Sequence, residues 1–452
     1  MSDRITIAGA LAEFCSKVAT QPLPAAVQGR ARLCLADHLH AAIHGVRSET
    51  GERLIRYLSP NGAPPAQLGA EALALLLGSA STVHEIDDVH QDTSMHPGSV
   101  VVSAALGCLL EKPVSGQRLL AAITAGYEVG IRLSIAAGER HYHYFHATAT
   151  CGTLAAAAAA SIVLGLTSEQ TAHTLGIAAT SASGLWEDIN DAAIGLKHLH
   201  SGAAAERGIR AAKLAALGLR GAPRSIEGRK GFLAALARPG DFAPREAAPD
   251  ETALREMLLA GLGERWTILR NIYKRYPFCL ACFEPLEGIR HILANSARPK
   301  EEVRSVVIDI YPPNATLIAQ PDPKDQLQAK FSAPFAIGLV LAGRDPEDVR
   351  LPKEWLVDPK VRGWYPSVSV RADSEVPRRH ARVTVTWSNG AEESADRPLR
   401  NLDEREVWGR FTAAARRYLG DGAREVEDAV TGCAAFADTR ALPLAARKAI
   451  GV

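Results

Sequence analysis

Apolar residues recur at helical intervals through most of the first 265 positions. From Ile5 to about Gly45, Leu11, Phe14, Cys15 and Val18 fall on one face, and Leu35, Leu39 and Ile43 repeat the spacing after Pro22 and Pro24. Two helices joined by a proline-containing turn are predicted. The stretch from Pro60 to Pro65, with Asn61 and Gly62, reads as a loop, and Ala70 to Ser81 as an Ala/Leu helix. Val100 to Leu110 and Gly116 to Ala137 continue the pattern, and Thr167-Ser168-Glu169-Gln170 has the form of a helix cap. The longest apolar run, Leu154 to Leu166, is shorter than the ~20 residues that span a bilayer and reads as a core helix.

The pattern changes after about Trp266. Val303 to Tyr311 is rich in β-branched residues, and Ala381 to Trp387 alternates like a half-buried strand before a Ser388-Asn389-Gly390 turn. Phe331 to Gly343 between them reads as a helix, and from about Asp403 the chain returns to helix. This order predicts a mainly α protein with a large all-helical domain, residues 1–265 and 403–452, and a smaller α+β domain, residues 266–402. The last segment rejoins the first, and the join is expected to form a cleft where polar helix ends can meet a ligand.

A length of 452 residues fits two such cores. With 51 Lys and Arg against 50 Asp and Glu, the chain gives no electrostatic reason to expect nucleic acid or a membrane surface as partner. The seven cysteines are scattered through apolar surroundings, which reads as reduced thiols, and Met1 to Thr6 does not begin a secretory signal. A cytoplasmic location is expected.

The chemistry is concentrated in His84-Glu85-Ile86-Asp87-Asp88-Val89-His90-Gln91-Asp92-Thr93-Ser94-Met95-His96-Pro97-Gly98-Ser99, a polar stretch between two apolar blocks. Further polar nodes are His146 with Thr148, Lys197 to Gly202, Lys274 to Cys279, and Tyr311. Carboxylates, imidazoles and cations together suit an acidic substrate. The cations hold its carboxylates and stabilise an enediolate while an imidazole or carboxylate takes a proton from carbon. Phosphate-binding and nucleophile-elbow motifs are absent. Cys279-Leu280-Ala281-Cys282 is a lone C-x-x-C, and the six-residue spacing of His84, His90 and His96 does not place them on one helical face, so neither metal nor cofactor is expected.

These blocks resemble the MmgE/PrpD family. His84 to Ser99 looks like its acidic run ahead of His-Pro-Gly. Phe145-His146-Ala147-Thr148, Lys197 to Ala204, Glu227 to Phe232, Lys274 to Cys279 and Ala329 to Ala336 are similar to further blocks in the same order. The resemblance implies a helical domain with an α+β lid, usually in a homodimer, and cofactor-independent chemistry on di- and tricarboxylates: dehydration, decarboxylation or epimerisation. Carried onto this chain, it places Glu85, Asp88, His96, His146, Lys197, Lys274 and Tyr311 in the site; the neighbouring His90, Arg275 and Cys279 are read as further substrate-binding candidates. The expected mechanism has Lys197, Lys274 and Arg275 holding carboxylates, His96 and His146 as general base and acid steered by Asp88 and Glu85, and Tyr311 bonding a carboxylate or leaving hydroxyl. Asp87 and Asp92 are as compatible with solvent as with a function. Glu85 stands where the family commonly has Asp, Val89 replaces a Thr, and Cys279 stands where the decarboxylase has a histidine. A two-base epimerase using Cys279, and a carboxylate-binding protein without catalysis, are the alternatives.

Overall fold

The structure, a computed structural model, describes residues 5–59, 68–187, 196–237 and 250–449; the loop expected at Pro60 to Pro65 lies outside them. The chain is mainly α-helical with a smaller β-containing region, and it divides into two compact units. One comprises Met1–Val83, Asp87–Tyr273 and Asp403–Val452, the other His84–Ile86 and Lys274–Leu402.

In the helical unit, α1 (Ile7–Thr20), α2 (Ala25–Gly45), α3 (Glu49–Leu58), α4 (Ala70–Thr82), α5 (Pro97–Leu109), α6 (Gly116–Tyr144), α7 (Ala147–Leu164) and α8 (Ser168–Ser181) follow one another, and a further helix runs over Leu196–Ala216. The core is built on α7, in which every residue from Ala147 to Val163 is buried. Helices α5, α6, α8 and Leu196–Ala216 all pack on it, and its run of alanines lets them approach closely. The hydroxyls of Thr6, Ser48 and Ser115 cap α1, α3 and α6. Thr167 and Gln170 form the reciprocal cap of α8 that the sequence predicts, each such cap contributing about 1 kcal/mol.

Helix α6 runs seven residues past the expected end at Ala137, with a break at Gly138, whose φ of 75° suits glycine. His141 therefore belongs to its last turns. By length and composition α6 and α7 could each cross a membrane, but their apolar windows are 89% and 94% buried inside this unit, as core helices are. Where α4 meets Leu196–Ala216, a Cβ on Gly202 would stand 2.2 Å from the Leu75 carbonyl oxygen. The small residues of the Lys197 to Ala204 block are thus fixed by packing.

The α+β unit holds a four-stranded sheet in the order β4-β3-β5-β6, from β3 (Val303–Ile310), β4 (Val368–Ala372), β5 (His380–Trp387) and β6 (Glu392–Pro398). Strands β3 and β4 are parallel, the other pairs antiparallel. Alternate residues Ala381, Val383, Val385 and Trp387 of β5 are buried, as the period-two pattern requires. The helix Phe283–Asn295 covers β5 and β6. Residues 266–273 group with the helical unit. Ile268 N donates to Glu128 Oε1 (3.1 Å), and the short strands β1 (Val89–His90) and β2 (Asn271–Ile272) pair antiparallel.

Candidate functional site

The segment between α4 and α5 turns sharply. Glu85 and Ser94 take left-handed conformations with φ of 54° and 57°, an uncommon state for residues with a Cβ. Those turns divide the acidic run among three tasks. Asp88, 1% exposed, accepts hydrogen bonds from Gly98 N (2.9 Å), Tyr127 Oη (2.6 Å) and Asn271 Nδ2. Burial pushes its carboxyl up to about 6 against the opposing Tyr127 bond. A Cβ on Gly98 would stand 2.6 Å from Asp88 Oδ1 and 2.8 Å from the Tyr127 hydroxyl, so the His-Pro-Gly glycine is the residue that lets this carboxyl dock on α5.

Asp87, not Asp88, stands against the histidine. Its Oδ2 lies 2.9 Å from His96 Nδ1, with both side chains largely buried. Asp87 is thus fully buried beside His96 and does not face solvent, which the sequence left as open as a function, and Asp88 is near enough to His96 for their charges to interact. Asp37 and His38 on α2 join the same cluster, and the sequence reading missed both. Burial, then Asp88 and Asp87, push the Asp37 carboxyl well up. Burial pushes the His38 imidazole down to about 4, and its Nε2 meets Ser103 Oγ at 3.2 Å.

His96 and His146 each occupy the position preceding the first turn of a core helix, α5 and α7, where unpaired backbone N–H groups favour an anion. The two helix starts are tied together, because His96 N donates to Thr148 Oγ1 (3.0 Å). The imidazoles stand edge to face with centroids 6.2 Å apart. His146 stacks on Trp186 at 4.4 Å and 14°, and its Nδ1 lies 3.3 Å from His200 Nδ1. Its Nε2 is buried with no hydrogen-bond partner among the described residues. Burial, then His200 and His96, hold the His146 imidazole well below its usual range, and burial with Lys197 and Arg207 pushes His200 down to about 4. Both rings are therefore neutral near pH 7.

Lys197, 3% exposed, lies close enough to depress His200. His90 is fully buried in β1, and Asp92 N points at its Nδ1 (3.4 Å), a loop-bracing position. The structure thus gathers Asp87, His96, His146 and Lys197 in the helical unit, with Trp186, Asp37 and His38 as residues no motif announced.

The other candidates belong to the α+β unit. Glu85 forms a 2.8 Å ion pair with Lys274, each side chain 1% exposed, so the lysine expected to hold a substrate carboxylate holds a protein one. Arg275 turns to Glu347 (3.4 Å). Cys279 is half-buried, and its N–H donates to the Lys330 carbonyl (2.7 Å). Tyr311 is half-buried and precedes the helix Pro312–Ile318. Among the described residues, no group of three or more His, Cys, Asp or Glu is arranged to hold a metal ion.

Comparison with known proteins points the same way as the ordered blocks. The chain is 29% identical over 302 residues to a cis-aconitate decarboxylase of Aspergillus terreus, covering 63% of this chain and 60% of that protein. It is 30% identical over 295 residues to the human cis-aconitate decarboxylase, covering 62% and 57%, and 27% identical over 325 residues to the mouse protein, covering 67% and 63%. The match thus spans about three fifths of these relatives' length. Residues 9–245 match the MmgE/PrpD N-terminal domain and residues 276–433 the MmgE/PrpD C-terminal domain, and the chain belongs to the MmgE/PrpD family.

Proposed function

We propose that the chain is a cofactor-independent lyase acting on a di- or tricarboxylic acid at a carbon next to a carboxylate. The observation that carries this reading is the pair of buried imidazoles, 6.2 Å apart and differently supported. Asp87 Oδ2 stands 2.9 Å from Nδ1 of His96 and sets the ring's orientation, and His96 serves as the proton donor. His146, kept neutral by burial and with Nε2 buried without a protein partner among the described residues, is the acceptor. In a dehydration, His146 takes the proton from carbon, the electron pair forms the double bond, and His96 protonates the departing hydroxyl as water. In a decarboxylation, His96 delivers the proton that replaces CO₂. Lys197 and the N-termini of α5 and α7 supply positive potential for substrate carboxylates.

The decarboxylases among the relatives make cis-aconitate the first substrate to try. NMR of the purified protein with cis-aconitate, methylcitrate, citrate and iminodisuccinate in D₂O is the test. Loss of water or CO₂ from one of them is expected, and Asp87→Asn should slow that turnover by roughly 10²–10⁴. Full activity of Asp87→Asn or His146→Ala would reject the assignment. Two facing imidazoles also suit epimerisation by two bases, a reading that deuterium entering a stereocentre without loss of water or CO₂ would establish instead. Binding of all four acids without turnover would mark a carboxylate-binding protein.

A further inference from the structure

The contact between His146 Nδ1 and His200 Nδ1, 3.3 Å long, joins two neutral imidazoles. Such rings can share it in one way: one nitrogen carries a hydrogen and the other a lone pair. Which ring donates is decided by the opposite edges. Nε2 of His146 is buried with no hydrogen-bond partner among the described residues. A hydrogen placed there would be a buried N–H without an acceptor, a rarer arrangement than an under-used acceptor, as backbone groups show. The hydrogen of His146 therefore belongs on Nδ1, facing His200. His200 is half-buried, so its own hydrogen can sit on Nε2 and reach water, which leaves its Nδ1 to accept.

The packing around the pair holds this arrangement. Trp186 stacks on His146 and fixes the plane of the ring, while His146 N donates to the Gly184 carbonyl (3.0 Å). His200 rides on the helix Leu196–Ala216. That helix meets α7 so closely that a Cβ on Gly208 would stand 2.4 Å from the Ala156 Cβ. Burial, then Lys197 and Arg207, keep a second proton off His200, so it stays an acceptor.

We infer that His200 is a positioning residue, which accepts Nδ1–H of His146 and so leaves the lone pair on Nε2, the nitrogen without a protein partner among the described residues. The group that fixes a histidine tautomer is often a carboxylate or a backbone carbonyl. A second imidazole does the same without adding negative charge, so His146 is oriented but not made strongly basic, and a proton it takes up is readily returned. That this lone pair serves in turnover rests on the lyase reading; the tautomer does not.

The test is nitrogen-15 NMR of the full chain labelled at its histidines, near pH 7, comparing wild type, His200→Phe and His200→Asn, with His146→Gln to assign the His146 signals. Wild type should show the hydrogen on Nδ1 and the lone pair on Nε2. His200→Phe removes the acceptor and should move the hydrogen wholly or partly to Nε2, and His200→Asn, whose amide oxygen can accept, should keep it on Nδ1. With the acid that is turned over, His200→Phe should lower kcat roughly 10²-fold or more while KM changes by less than about twofold, and His200→Asn should fall between it and wild type. The inference is overturned if wild type carries the hydrogen on Nε2, or if His200→Phe with a wild-type unfolding midpoint leaves the tautomer unchanged. A moved hydrogen with kcat unchanged would overturn the positioning role. Should His200→Phe not fold, His200→Leu carries the same comparison. Failure of the lyase reading shows separately, as absence of turnover by wild type, and the spectra still decide the tautomer.

Discussion

Replacing Lys274 by Met separates a structural lysine from a substrate ligand. Its ammonium and the Glu85 carboxylate are 2.8 Å apart, each 1% exposed, and at an effective dielectric of about 20 that separation corresponds to an attraction of about 6 kcal/mol. Desolvation of both ions offsets much of it, so the pair's net stabilisation is small. Removing one partner is different, because the remaining carboxylate stays buried, and the cost is then about 3–5 kcal/mol. Methionine fills most of the lysine volume and confines the change to charge. Urea unfolding followed by circular dichroism should show that loss at pH 8. It should shrink on acidification as Glu85 takes up a proton, since a carboxyl that has lost its cation titrates higher. The double variant Glu85→Gln/Lys274→Met should recover to within about 1 kcal/mol of wild type. A Lys274→Met protein within about 1 kcal/mol of wild type at pH 8, the behaviour of a solvated pair, would refute the reasoning. If such a protein also showed a raised KM, the lysine would be returned to the substrate.

Gly98→Ala places a Cβ 2.6 Å from Asp88 Oδ1 and should cost about 1–3 kcal/mol as an overpacked site, read as a lower thermal midpoint; an unchanged midpoint would reject the docking role given to Asp88. Glu284, fully buried with neither carboxyl oxygen hydrogen-bonded among the described residues, is pushed up by burial to about 7. A raised carboxyl favours the fold while protonated, and that advantage is lost as pH rises through 7, so Glu284→Gln should gain about 3 kcal/mol relative to wild type at pH 9. Equal pH dependence of the two proteins would contradict it. His38 is the opposite case. Its imidazole is pushed from 6.5 to about 4, so the unfolded chain takes up a proton first and stability falls as pH drops from 6.5 toward 4, by about 3 kcal/mol. His38→Gln should flatten that fall in acid-unfolding curves, and an unaltered slope would count against a buried neutral ring.

Much of the fold was legible because helical periodicity is a local property. The helices around Leu11, Leu35 and Leu73, the Thr167 cap and the alternation in β5 all follow from residues within a turn or two of one another. The site was legible only by residue type. Nothing local distinguishes Asp87 from Asp88. That choice is made by the left-handed turn at Glu85 and by Tyr127 and Asn271, which lie 39 and 183 residues from Asp88. Trp186 carries no motif, and its place on His146 is set by the loop that pairs Phe145 with Leu185. Lys274 and Glu85 looked like separate ligands because their pairing joins segments 189 residues apart.

The bond from His96 N to Thr148 Oγ1 has a consequence for protein engineering. It makes the two imidazoles parts of a single rigid fitting, anchored in helices that have no exposed face to adjust. Random mutagenesis for a new substrate should therefore recover few productive changes in α5 or α7. Most should come from the partly exposed stretch around Ser183 and Trp186, where a side chain can be exchanged without moving the core.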